Sequence, residues 1–184
     1  MKHKTILFIL ITLLITVACE KPEARRPKQH GTTNFYKEVL KENKKLNALE
    51  KERLEKWISQ DTITEYKTSP HGFWYTYVTK DTLGLSNSPK TEDVVLLSYS
   101  ISDINNRLIY ERREISYKVD KEDFIPALQD GIKLMKKGET ITFVIPSYRA
   151  FGVIGDGNKI AVNQPIQSTV TLIDIKSKKD NEIN

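Results

Sequence analysis

The side chains with the most intrinsic reactivity in this 184-residue chain are few and far apart. Cys19 is its one cysteine, and its three histidines, His3, His30 and His71, fall in an apolar N-terminal leader, a Pro-containing polar stretch and a Ser-Pro-His-Gly turn. These positions suggest no Cys–His dyad and no cluster with metal-ligand spacing, so no metal and no cofactor is expected. A charged cluster, Glu111-Arg112-Arg113-Glu114, reads either as a solvated strand end or as paired charges at the mouth of a site. What remains is the stretch from Phe124 to Gly152, FIPALQDGIKLMKKGETITFVIPSYRAFG, in which apolar and aromatic residues alternate with glycine and proline. Chemistry there would rest on binding and desolvation.

The elements that must position this stretch are legible in its periodicity. Pro126 suits a first helical position, and Leu128, Ile132 and Met135 follow at i, i+4 and i+7, which predicts a short one-sided helix. Gly138 stands where a left-handed stop would fall, with Lys133, Lys136 and Lys137 in the last turn, where the helix dipole favours cations. From Thr140 the period becomes two: Ile141, Phe143 and Ile145 alternate with Thr142 and Val144 until Pro146 stops the strand. An aromatic, glycine-rich loop from Ser147 to Gly157 follows.

Upstream, Ile63 to Val78 is β-branched and aromatic, interrupted by the turn Ser69-Pro70-His71-Gly72; Lys80 to Thr91 must loop. Val95, Leu97, Tyr99 and Ile101 present one apolar face, Asn105-Asn106 suits a tight hairpin turn, and strands are expected at Arg107–Tyr110, Ile115–Val119 and Thr169–Ile175. The expectation is an α+β domain over residues 61–178, a curved antiparallel sheet of about five strands wrapped on one short helix, with a polar tail at 179–184. Residues 34–60 carry Lys, Glu and Leu with no Gly or Pro and read as a helix with a thin apolar face, Phe35, Val39, Leu46, Leu49, Trp57 and Ile58. That helix either lies on its own domain or in solvent, or self-associates to form a homodimer.

The first 18 residues read as a signal peptide: Lys2, His3 and Lys4 are basic, Ile6 to Val17 is an apolar run of 12 residues, and small residues lead to Cys19. A bilayer span needs roughly 20 residues. Residues 19–33, with two prolines and almost nothing apolar, read as a tether. Removing the leader leaves 27 Lys+Arg against 24 Asp+Glu, a charge of +3. Positive residues are interleaved with acids, which argues against nucleic acid as a partner.

Helix, turn, strand and loop together resemble the centre of the FK506-binding-protein family of peptidyl-prolyl isomerases. The resemblance rests on Phe124-Ile125-Pro126-Ala127-Leu128, Gly131-Ile132, Met135, Gly138-Glu139, Ile145-Pro146 and Ala150-Phe151-Gly152, and extends from about Glu92 to Lys176. It implies a pocket between helix and concave sheet. Tyr99, Ile125 and Phe151 would carry catalysis there, and Ile109, Tyr110, Phe124, Leu128 and Leu172 would bind substrate. Several positions depart from the family pattern: Ile109-Tyr110 stands for a Phe-Asp pair, Leu128 for the floor tryptophan, Phe151 for the flap tyrosine and Leu172 for a late phenylalanine. The implied partners are proline-containing polypeptides, and the implied function is assistance to folding in a bacterial envelope. The altered pocket equally suits a binding module, a chaperone or scaffold with little turnover. Cys19 falls where the lipobox of bacterial lipoproteins places its acylated residue, implying a lipid anchor and a periplasmic domain. Tether and strand sequence, including Gly72-Phe73-Trp74-Tyr75, are similar to isomerase-type lipoproteins of gliding motility in the Bacteroidetes.

Overall fold

The computed structural model describes residues 32–82 and 87–178. The signal peptide 1–18, Cys19, His3, His30, the tether as far as residue 31 and the tail 179–184 lie outside the described residues. The chain forms two units, one ending at Leu40 and one beginning at Lys41. Helix α1, Thr32–Gln60, runs through that boundary. It begins two residues before the expected residue 34, since Gly31 is the last residue that disfavours a helix. Its later turns belong to the second unit and pack on the sheet there through Leu54, which is buried against Trp74 and Val144, with Trp57 and Ile58 alongside. The earlier apolar positions Phe35, Val39, Leu46 and Leu49 are exposed.

The second unit is a six-stranded antiparallel sheet: β1 (Lys67–Thr68), β2 (Trp74–Thr79), β3 (Val94–Ser102), β4 (Leu108–Lys118), β5 (Thr140–Ile145) and β6 (Ile166–Lys176), in spatial order β1-β2-β5-β6-β3-β4. The stretch Ile63 to Val78 forms two short strands, β1 and β2, on either side of the turn at 69–72, the two residues of β1 pairing with Tyr75 and Trp74. The runs 107–110 and 115–119, read as separate strands, are joined in one strand, β4, which takes in residues 108–118. Pairing with β3 carries through Glu111–Glu114 by way of a bulge, where Tyr99 faces Arg113 and Ile101 faces Tyr110. The turn between β3 and β4 is held by Asp103, which accepts N–H bonds from Asn105 and Arg107, and only Asn106 of the Asn pair takes positive φ, at 64°.

Alternation places the core. Val95, Leu97, Tyr99 and Ile101 of β3 and Ile141, Phe143 and Ile145 of β5 turn one way, into the main core, while Val144 turns the other way, towards Leu54 of α1. Helix α2, Pro126–Ile132, lies on the main-core face with Ala127, Leu128, Gly131 and Ile132 buried. It is shorter than its periodicity suggests, because the N–H groups of Leu134 and Met135 bond three residues back, to Gly131 and Ile132, and tighten the chain out of the α-helix. Met135 remains fully buried. Gly138, φ 86°, is therefore a joint and not a helix stop: its N–H bonds to the Leu172 carbonyl on β6. The lysines likewise serve carboxylates in place of the dipole, Lys133 pairing with Asp120 at 2.5 Å and Lys137 with Asp174 at 2.6 Å.

Gly131 is where α2 meets the sheet. A Cβ there would stand 2.6 Å from Cε1 of Phe143, a fully buried ring that is itself wedged edge-on against Phe73 at 5.8 Å. Glycine inside a helix costs about 0.5–1 kcal/mol relative to alanine, so the close approach is what retains it. Gly131→Val is expected to lower unfolding free energy by more than about 1 kcal/mol through overpacking, measured by denaturant titration. A neutral or stabilising result would contradict the packing described.

Candidate active site

At the N-terminal end of α2, between that helix, the concave face of the sheet and the loop after β5, lies a cavity of about 490 Å³. Of the eight residues singled out from the sequence, Tyr99, Tyr110, Phe124, Ile125 and Phe151 line it. Leu128 and Leu172 do not. Both are fully buried in the core beneath, Leu128 because the inward face of a helix seated at Gly131 points into the sheet and Leu172 because it alternates inward on β6. Ile109 packs against the same core without reaching the cavity lining. His71 lies in a turn, its Nδ1 3.6 Å from Asp130.

The walls are arranged by ring packing. Phe124 stands edge-on to Tyr99 at 5.3 Å and is tilted against Tyr117 at the same distance. Phe124 and Ile125 immediately precede Pro126, whose missing N–H is harmless at the first helical position. The Ile125 carbonyl accepts N–H bonds from Leu128 and Gln129. Its own N–H has no acceptor among the described residues, which leaves a main-chain donor at the cavity.

Three polar groups complete the lining, and the sequence reading assigned none of them individually: Arg113, Asp123 and Asp156. Arg113, within the charged cluster, lies with its guanidinium 5.0 Å from the centre of the Tyr99 ring, and its Nε donates to the Tyr99 hydroxyl at 2.7 Å, with Nη2 on the same oxygen. Because that oxygen accepts from arginine, its own hydrogen is free to donate, and it meets no acceptor among the described residues. Tyr110 is engaged differently, its hydroxyl donating to Oδ2 of Asp156. Oδ1 of Asp156 accepts the N–H groups of Asn158 at 2.9 Å and Ile160 at 2.8 Å, so one carboxylate both folds its loop and clasps it to β4. Only an aspartate followed at two and four residues by loop N–H donors could have signalled this role in the sequence, and such a pattern is common to many turns.

The family model for FKBP-type peptidyl-prolyl cis-trans isomerase matches residues 86–173, the segment that builds this cavity. Residues 86–173 are an FKBP-type domain. The chain is 32% identical over 130 residues to the FKBP-type peptidyl-prolyl cis-trans isomerase FkpA of Escherichia coli K12, covering 68% of this chain and 45% of that protein. To the probable FkpA of Neisseria meningitidis serogroup B it is 28% identical over 128 residues, covering 68% and 46%. The chain thus spans less than half the length of the curated relatives it matches. The crystal structure of Escherichia coli FkpA superposes with a TM-score of 0.57 at 27% identity, over 77% of this chain and 64% of that one. A peptidyl-prolyl cis-trans isomerase from Pseudomonas syringae pv. tomato gives 0.58 at 18% identity, over 71% and 96%, and shares the fold.

Within the FKBP-type domain the clasp sets a pH response. Burial pushes the Asp156 carboxyl up, but hydrogen bonds from Tyr110 and from loop N–H groups outweigh it, so Asp156 titrates below 3.8. The hydrogen bond to Asp156, then burial, raises Tyr110 above 10.0. A lowered carboxyl contributes stability that is fully present above its unfolded value of 3.8 and is lost as pH falls through the folded value. The raised tyrosine contributes below 10.0 and loses that contribution as pH rises through its folded value. Exchange protection of the Asn158 and Ile160 amides is expected to be level between about pH 5 and 9 and to fall in stronger acid, and Asp156→Asn is expected to abolish that acid limb. An identical acid limb in parent and variant would count against the clasp.

Proposed function

We propose that this domain is a peptidyl-prolyl cis-trans isomerase in which the Tyr99 hydroxyl and the Ile125 N–H supply the hydrogen bonds, and Phe124, Tyr110 and Phe151 the apolar walls. The observation that carries the reading is that one aromatic cavity is lined by the Arg113-bound Tyr99 hydroxyl and by Ile125, and that the hydroxyl hydrogen of the one and the main-chain N–H of the other meet no acceptor among the described residues. Amide resonance sets a barrier of about 18–20 kcal/mol, and the twisted transition state separates less charge than the planar amide, so a weakly polar cavity favours it. A donor aimed at the substrate carbonyl adds to this when its bond strengthens on twisting. No nucleophile, proton transfer or metal is needed. Phe151 stands at the flap position without a hydroxyl, and Tyr99, polarised by a cation, is the donor that remains.

A second reading is favoured by the same Phe151: with that hydroxyl gone, the pocket could hold a proline-containing segment with little turnover, as a chaperone or scaffold. The leader and Cys19 support a lipid-anchored protein with its domain in the periplasm, assisting folding of envelope or secreted proteins, and the tether and strand resemblance supports gliding-motility components as clients. The exposed positions Phe35, Val39, Leu46 and Leu49 recur at helical spacing along α1 and support self-association of residues 34–60 with a second copy.

Tyr99→Phe removes one hydrogen bond worth roughly 1 kcal/mol and is expected to lower kcat/KM about fivefold in a proline-peptide assay, with Phe151→Tyr raising it by a similar factor. An inactive parent that Phe151→Tyr does not rescue, but that still binds the peptide, would establish the binding-module reading. Cys19→Ser is expected to shift the protein from the membrane to the soluble fraction; unchanged partitioning would refute the anchor. Sedimentation is expected to show a dimer that Leu46→Glu with Leu49→Glu converts to monomer, and a monomeric parent would refute self-association.

A further inference from the structure

Outside the cavity lining, on α1, Glu50 grips the turn that leads to Phe151. Its Oε1 accepts the Ser147 N–H at 2.6 Å and its Oε2 accepts the Ser147 hydroxyl at 2.7 Å. Both donors of a buried residue are thus satisfied by one carboxylate, and charge-assisted bonds of this kind are roughly twice as strong as neutral ones. The Ser147 carbonyl in turn accepts the N–H of Ala150 at 2.9 Å and of Gly152 at 2.8 Å, the residues on either side of Phe151. The wall of the cavity is therefore bracketed by bonds to one carbonyl, and the residue that owns that carbonyl is fixed by Glu50.

The support beneath this bond is rigid. Leu54, one turn further along α1, is buried against Val144 of β5, and Ser147 follows Val144 by three residues, in the turn just after that strand ends at Ile145. Arg149 secures the other end of the turn, donating to Asp130 of α2 at 2.5 Å. The Phe151 loop is thus tethered from α1 and from α2, and removing either carboxylate leaves donors in or near the core without acceptors.

We propose that Glu50 is a positioning residue for the cavity: by holding Ser147 it fixes the Phe151 wall and makes α1 a working part of the isomerase. The inference rests on the isomerase reading for its kinetic consequence, not for its structural one. A wall free to shift would lose contact with the twisted substrate, where fit is most demanding, so the loss falls on kcat more than on KM.

The test uses the full chain with Glu50→Ala, Glu50→Gln, Ser147→Ala, the Glu50→Ala/Ser147→Ala pair and Val95→Ala, each followed by isomerisation kinetics and by NMR of backbone amides. Glu50→Ala is expected to lower kcat about tenfold with KM within about twofold, and Glu50→Gln, which keeps one acceptor oxygen, to recover part of the loss. The pair is expected to lose less than the product of the two single losses, since both act through one contact. The Ala150, Phe151 and Gly152 amides are expected to shift in Glu50→Ala while those of β3 stay in place. Val95→Ala, which truncates a buried side chain of β3 outside the cavity lining and away from α1, is expected to lower the melting temperature with kcat per folded molecule near the parent value. Should Glu50→Ala keep both the parent kcat and the parent amide positions at 150–152, or should Val95→Ala reproduce its kinetic loss, the proposal fails. If the parent chain shows no isomerisation, the isomerase reading fails by itself, and the amide shifts alone decide whether Glu50 holds the loop.

Discussion

The contact between Gly131 and the Phe143 ring governs the rest of the domain. It lets α2 descend onto the sheet to a depth that any side chain at 131 would forbid. With the helix at that depth, Leu128 and Ile132 are sealed into the core, and the first turn, with Ile125 and Phe124 ahead of it, is left at the cavity. The same contact therefore decides which apolar residues stabilise the fold and which remain available to a ligand. Close packing makes this division sharp, because an interior at crystal-like density has no room for a helix half a residue out of place.

The loop that closes the cavity is held on another principle. Val153 and Ile154 are 60% and 81% exposed, so the segment after Phe151 gains little from burial. Carboxylates secure it in their place: Glu50 from α1, Asp130 from α2 and Asp156 from the loop itself. Each accepts directional, charge-assisted bonds, which fix geometry more tightly than apolar contact of similar strength would. An aromatic wall mounted in this way can face solvent and still keep its place.

Polar groups have also been redistributed among the aromatic rings. Where the family pattern has an aspartate on the strand and a tyrosine in the flap, this chain has Tyr110 on the strand, Asp156 in the loop and Phe151 in the flap. A hydroxyl–carboxylate pair here joins strand to loop, Tyr110 donating to Asp156. The hydroxyl with an unused hydrogen becomes that of Tyr99, held by Arg113. The charged cluster around residue 113, which admitted two readings as bare sequence, is divided between them: Arg113 serves the cavity from the middle of a solvent-facing edge strand.

Local features of this fold were open to reading because local forces make them. Pro126 starts a helix, the period changes from helical to alternating at Thr140, and Asn106 turns a hairpin, each through sterics or patterning within a few residues. The aromatic and apolar character of the cavity followed from the same run of sequence. What the chain order could not reveal is which residues meet across it. Glu50 and Ser147 are 97 positions apart, and Tyr110 and Asp156 are 46 apart. Leu128 and Leu172 have the composition of lining residues but became core. Those outcomes depend on strand register and on the depth of α2, and these are set when the whole sheet packs, because only then does a side chain acquire neighbours that its own segment does not contain.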